Sequence, residues 1–217
     1  MGLKLVIFDV DGTLVDSQDF IVEAQRRAFE SLGLPARSRE KALSVVGLSL
    51  VEAFDALTDG QGPAEALAQA YRDAWTKMLS EPSYDMPLYA GAAECVSVLA
   101  RRDDTLLAMA TGKSRRGVER LLAKRCWANH FASVQTADDH PSKPAPDMIL
   151  ACMAETGIGR ADTVMIGDTS YDMEMARAAG VRGLGVAWGY HPAQELTAAG
   201  AERVCADFAE LRSALQA

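Results

Sequence analysis

Six short runs of strand character punctuate the chain, four of them mostly apolar, and most are separated by stretches whose apolar positions return every three or four residues. Leu5-Val6-Ile7-Phe8, Thr105-Leu106-Leu107-Ala108-Met109-Ala110, Ser133-Val134-Gln135-Thr136, Thr163-Val164-Met165-Ile166, Gly183-Leu184-Gly185-Val186-Ala187 and Arg203-Val204 have strand length. Strands separated by helices predict a parallel α/β sheet, Rossmann-like, with helices on its faces. Gly91 to Arg102, Met148 to Glu155, the segment ending at Ala179 before Gly180, Pro192 to Ala198 and Asp207 to Leu215 read as those helices.

The segment 16–87 breaks the alternation. Phe20, Ile21, Ala24, Ala28, Phe29 and Leu32 recur at helical spacing and stop at Gly33 and Pro35. Ser38 to Val46 is a weaker helix ended by Gly47, and Ser49-Leu50-Val51-Glu52 has the form of a capping box opening a short helix through Leu57. Pro63 suits the first helical position ahead of an amphipathic segment carrying Leu67, Tyr71, Trp75, Met78 and Leu79. With no strand in it, 16–87 is expected to be an all-helical cap inserted into a core made of 1–15 and 88–217. Asp16-Ser17-Gln18 and Met86-Pro87-Leu88 are its expected hinges.

Composition narrows the functions. At 217 residues, 49% hydrophobic and 24% charged, the chain has the profile of a soluble globular protein. A net charge of -8 without a basic stripe excludes a long nucleic-acid footprint. No apolar run is long enough to span a bilayer or serve as a signal peptide, so the expectation is a cytoplasmic protein with no membrane partner, monomeric or homodimeric. Cys95, Cys126, Cys152 and Cys205 lack any CxxC spacing and are expected to be buried and reduced. His130, His140 and His191 form no ligand pattern and are expected on the surface or in loops.

Candidate chemistry gathers at strand ends. The first run stops at Asp9-Val10-Asp11-Gly12, and two acids two residues apart face one volume while the chain stays extended. Their mutual repulsion favours a hard divalent cation held by oxygen ligands, Mg²⁺ foremost. The second run ends at Thr111-Gly112-Lys113-Ser114, where a hydroxyl, a glycine and fresh helix N–H groups make an anion site. Leu106 stands where a Walker A loop needs glycine, so this is no such loop. Lys143 is fixed near Pro144 and Pro146, and Asp168 and Asp172 straddle the start of a helix. Asp172 alone could be no more than an acid favoured by the helix dipole.

Asp9-Val10-Asp11-Gly12-Thr13-Leu14-Val15-Asp16-Ser17 resembles the first motif of the haloacid dehalogenase superfamily, closest in wording to its phosphoglycolate phosphatase and β-phosphoglucomutase branch. Thr111-Gly112, Lys143 and Gly167-Asp168-Thr169-Ser170-Tyr171-Asp172 resemble the second, third and fourth motifs, in order. The resemblance implies a Mg²⁺-dependent phosphatase acting on a small phosphorylated metabolite such as phosphoglycolate, through an aspartyl-phosphate. It gives Asp9 the role of nucleophile, Asp11 that of acid and base, and Thr111, Gly112 and Lys143 the phosphoryl group. The metal falls to Asp9, the Asp11 carbonyl and Asp168, with Asp172 in support. It also implies a helical cap that closes on the site and sets specificity. A phosphosugar mutase of the same family is the first alternative, and a phosphate- or metal-binding module without turnover a more distant one. Asp11 argues against the dehalogenase branch, which lacks that acid. Arg37, Arg39 and Lys41 in the cap are expected to be solvated.

Overall fold

In the computed structural model, which describes residues 2–81 and 86–216, every run expected to be a strand is one. β1 (Lys4–Phe8), β2 (Thr105–Thr111), β3 (Phe131–Thr136), β4 (Thr163–Gly167), β5 (Arg182–Val186) and β6 (Arg203–Cys205) pair in parallel in the order β3-β2-β1-β4-β5-β6. Among the described residues the helices are α1 (Gln18–Ser31), α2 (Arg39–Leu43), α3 (Leu50–Leu57), α4 (Ala64–Met78), α5 (Ala92–Leu99), α6 (Arg115–Arg125), α7 (Asp147–Thr156), α8 (Ser170–Ala179), α9 (Ala193–Ala199) and α10 (Phe208–Gln216).

The four inner strands, β2, β1, β4 and β5, are mostly apolar without alternation because helices cover both faces of the sheet. Val6 and Phe8 of β1 pack with Leu107, Met109, Val164 and Ile166 beneath α5 and α10. Leu5 and Ile7 point the other way, with Ala108, Ala110 and Met165, onto α7 and α8. Strand order reverses direction at β1, so β2 and β4 are its neighbours, and the crevice at their carboxyl ends is where such a sheet takes ligands.

Helices α1 to α4 form a separate layer with its own core, centred on Phe20, Phe29, Phe54, Leu57, Leu67 and Tyr71. Phe54 lies 5.8 Å from both Phe29 and Tyr71, ring centre to ring centre. The chain crosses between the two layers twice, and the crossings pair: Val15 bridges Leu88 in antiparallel fashion, and the Asp16 N–H donates to the Pro87 carbonyl at 2.8 Å. Of the segment 16–87 expected to be the cap, residues 82–85 lie outside the described residues.

Local details differ from the sequence reading where long-range contacts decide them. Only Arg39–Leu43 of the stretch Ser38 to Val46 is helical, and turns follow to Gly47. Ser49 is the N-cap of α3, but its side chain makes no cap hydrogen bond; its N–H instead donates to Ser142 Oγ at 2.7 Å, across to the sheet domain. Pro63 is the N-cap residue of α4 and not its first helical residue. Cys126 is exposed, unlike the other three cysteines, because it caps α6 in a left-handed conformation (φ 58°). His191 lies in a loop as expected, yet it is buried, with Nδ1 accepting from the Ser170 N–H at 3.1 Å.

Candidate active site

Asp9 is the first residue past β1, and its N–H donates to Ile166 of β4 at 2.9 Å, so the sheet itself fixes its position. Asp168 follows β4 directly, and Thr111 closes β2. Because β1 lies between those two strands, three segments far apart in sequence deliver Asp9, Thr111 and Asp168 side by side. Lys143 arrives from the loop after β3, and Asp172 from the first turn of α8.

The five side chains are buried. Lys143 Nζ is 2.6 Å from Asp172 Oδ1 and 3.1 Å from Asp9 Oδ1. The second contact is an ion pair without hydrogen-bond alignment, and Asp9 Oδ1 has no hydrogen-bond partner. Asp172 Oδ2 accepts from the Thr169 N–H at 3.0 Å and the Thr169 hydroxyl at 2.7 Å, completing a capping box at α8. Asp172 is thus both a helix-start acid and a partner of Lys143. Asp168 accepts from the Thr13 hydroxyl at 2.8 Å and the Tyr190 N–H at 2.9 Å. Gly12 allows this closeness: its φ is 89°, and a Cβ there would stand 2.1 Å from Asp168 Oδ2.

One oxygen from each of Asp9, Asp168 and Asp172 lies within 4.8 Å of the others. Three buried carboxylates share one ammonium, so two negative charges go uncompensated, the complement of a divalent cation. The electrostatics agree. Burial pushes the Asp9 carboxyl up to about 6, against the pull of Lys143, and Asp172 adds to the rise. Burial, then Asp172 and Asp9, hold Asp168 well above the usual carboxylate range. Burial alone would lower Lys143, but Asp172 and Asp9 more than offset it and its ammonium is held above the ordinary value. The all-oxygen donor set and an Asp9 Oδ1 without a hydrogen bond fit a hard cation such as Mg²⁺.

The Asp11 side chain turns away from this cluster. Both its oxygens are 2.9 Å from Lys113 Nζ, and Oδ1 also accepts from the Ser17 hydroxyl at 2.7 Å. Ser17 meets the Tyr190 hydroxyl at 2.8 Å. Strand alternation does not carry through to Asp11, since β1 ends at Phe8 and Asp11 already bridges Val15 in a turn. Asp9 and Asp11 still line one cavity of about 520 Å³ between the sheet and the helical layer, with Thr111 and Gly112 at its floor. Lys113 was visible in the sequence only as part of Thr-Gly-Lys-Ser and Ser17 only as the end of the first motif and part of a hinge, and Tyr190 carried no signal of site chemistry.

Arg37, Arg39 and Lys41 do not line the cavity. Arg37 donates to the Leu57 carbonyl, Arg39 pairs with Asp19, and Lys41 is exposed. Arg72, Arg116 and Arg120 line it instead, exposed around its mouth. No helix among the described residues is long and apolar enough to cross a membrane.

Comparison with known proteins agrees with this architecture. The sequence model of the haloacid dehalogenase-like hydrolases matches residues 6–186. The chain is 34% identical to "Probable phosphatase IndB" of Dickeya dadantii, over 98% of this chain and 94% of that one. It is 31% identical to a phosphoglycolate phosphatase of Chromobacterium violaceum, over 96% and 95%. A crystal structure of a hydrolase from Pseudomonas syringae superposes with a TM-score of 0.86 at 26% identity, covering 98% of both chains. Four motifs in order at the switch point of a parallel sheet, together with a match over most of the chain, show that this protein belongs to the haloacid dehalogenase-like hydrolase family.

Proposed function

We propose that the protein is a Mg²⁺-dependent phosphatase that hydrolyses a small phosphomonoester through an aspartyl-phosphate on Asp9. The observation that carries this reading is Asp9 itself: a buried carboxylate at the switch point, one oxygen ion-paired with a buried lysine but without a hydrogen bond, lining a cavity. The phosphatase names of the relatives support it.

Asp9 attacks phosphorus, the bond from phosphorus to the alcohol oxygen breaks, and Asp11 gives that oxygen its proton. Asp11 then takes a proton from water, the oxygen of that water bonds to phosphorus, and the bond to Asp9 breaks, releasing phosphate. Thr111 and the Gly112 N–H hold the phosphoryl oxygens, and Lys143 neutralises part of their charge, which is the main task in such a transfer. Asp9 and Asp168, with the Asp11 carbonyl, would hold Mg²⁺, with Asp172 keeping Lys143 in place. When bound, the cation supplies positive charge to the phosphoryl oxygens and keeps Asp9 ionised. The helical segment 16–87 acts as the cap.

Phosphate release from a panel of phosphomonoesters, with Mg²⁺ and with chelator, tests the reading. Mg²⁺-dependent release that disappears in Asp9→Asn, with the circular dichroism spectrum unchanged, is the expected result. Near wild-type turnover by Asp9→Asn would overturn the mechanism. Phosphorylation of Asp9 without release of phosphate would make the protein a mutase or phosphotransferase.

A further inference from the structure

The cavity above Asp9 is larger than a two-carbon acid requires, and one of its walls is apolar. Its volume, about 520 Å³, falls in the roughly 300–1,000 Å³ range of pockets that enclose drug-sized ligands. A displaced cap does not create this space. The helical layer is seated on the sheet domain through the Ser49 N–H to Ser142 Oγ (2.7 Å), the Tyr171 hydroxyl to the Ser44 carbonyl (3.2 Å), and Lys113 Nζ, 4.7 Å from the centre of the Trp75 ring.

The wall opposite the phosphoryl site is formed by Val45, Leu50, Phe54, Tyr71 and Trp75. Apart from the Tyr71 hydroxyl, these side chains offer a sugar hydroxyl no oxygen to pair with, whereas they suit the face of a flat ring. Gln25 makes the wall more selective. It lines the cavity, is only 6% exposed, and donates its Nε2 to the Ala42 carbonyl at 3.1 Å, which fixes the amide orientation. Its Oε1 is then a buried acceptor with no hydrogen-bond partner. A buried acceptor left unpaired in an apolar wall calls for a donor on the ligand.

We infer that the substrate is a phosphomonoester whose alcohol carries a heteroaromatic ring with an N–H group, the ring lying against the Val45–Trp75 wall and the N–H donating to Gln25 Oε1. This rests on the phosphatase reading and narrows it to one substrate class.

The experiment compares kcat/KM for two N–H-bearing ring esters, tryptophol phosphate and uridine 5′-monophosphate, with phosphoglycolate, glucose 6-phosphate and 2-phenylethyl phosphate. At least one of the first two is expected to exceed phosphoglycolate and glucose 6-phosphate by about tenfold or more, and N-methylation of its ring to reduce it by about tenfold. Gln25→Leu removes that methylation effect, and Leu50→Asn lowers the ratio of ring ester to phosphoglycolate by about tenfold. Should Leu50→Asn not fold, Val51→Asn repeats the test at an exposed residue of the same cavity. Phosphoglycolate or glucose 6-phosphate hydrolysed as well as the ring esters would overturn the inference while leaving the phosphatase intact. Methylation without effect would remove Gln25 from it. No release from any ester would overturn the phosphatase reading, and this inference with it.

Discussion

Lys113 shows how much one side chain decides here. Its ammonium meets both Asp11 oxygens and the Trp75 ring, with Lys113 only 9% and Asp11 13% exposed. A part-buried pair of this kind orients its carboxylate far better than a surface pair, whose partners are free to move. For an acid that must reach the leaving oxygen, orientation is rate. Lys113→Met is therefore expected to lower kcat by roughly 10²-fold, with a smaller change in KM, as misplacement of a reacting group by about 1 Å does. Steady-state kinetics on the best ester check it; an unchanged kcat would show that Asp11 needs no such partner. The sequence brought Asp9, Asp11, Lys143, Asp168 and Asp172 forward through short strings that resemble one family's motifs, and Asp9, Asp168 and Asp172 also through their places just past a strand or at the start of a helix. It did not reveal the Asp11–Lys113 pair, since the two are 102 positions apart and meet only because β1 and β2 are neighbours. The unpaired oxygen of Gln25 was equally hidden: position 25 reads as one more polar residue of an amphipathic helix.

At the scale of elements, the four inner strands were legible because their apolar runs are too short for helices and are bounded by turn residues, and the helices because their periodicity is strong. What failed were the ends. Ser49 has the spacing of a capping box, yet tertiary structure gives its N–H to Ser142, and a local rule yields when a long-range partner lies closer. The same loop explains Gly112. A Cβ at that position would stand 2.7 Å from the Gly47 carbonyl oxygen and 3.0 Å from that of Leu48, both backbone atoms of the helical layer. The two layers touch there without room for a methyl group. Gly112→Ala is expected to push the Gly47–Leu48 turn off the floor of the site, at a cost of about 1–3 kcal/mol typical of overpacking. Hydrogen exchange would rise across residues 44–50, and kcat/KM would fall by tenfold or more, about 1.4 kcal/mol of barrier. Exchange and activity both at wild-type levels would mean that the contact is loose.

For the whole molecule, the uneven charge of the site couples folding to pH and to metal. Without a cation, Asp9 titrates at about 6 in the folded protein, raised from an ordinary 3.8 by burial, and Asp168 is raised as well. A carboxyl raised on folding binds its proton more tightly in the native state. Between pH 3.8 and about 6 the folded protein therefore holds more protons than the unfolded chain, and stability falls as pH rises through that window. Asp9 alone sets the loss at pH 7 on the order of 2–3 kcal/mol, and Asp168 acts in the same direction. A divalent cation held by Asp9 and Asp168 would reverse the sign, because it would bind their ionised form and not the unfolded chain. Thermal unfolding in chelator is thus expected to give a higher Tm near pH 5 than near pH 7.5. Millimolar Mg²⁺ should raise Tm more at pH 7.5 than at pH 5, by several degrees at about 2–4 °C per kcal/mol for a protein of this size. Asp168→Asn separates the cause. With one carboxylate gone the cluster loses much of its excess charge, so the metal-free protein should become less pH-sensitive and Mg²⁺ should stabilise it less. If Mg²⁺ stabilised the wild type equally at both pH values, or stabilised Asp168→Asn as much as the wild type, the cation would be bound elsewhere.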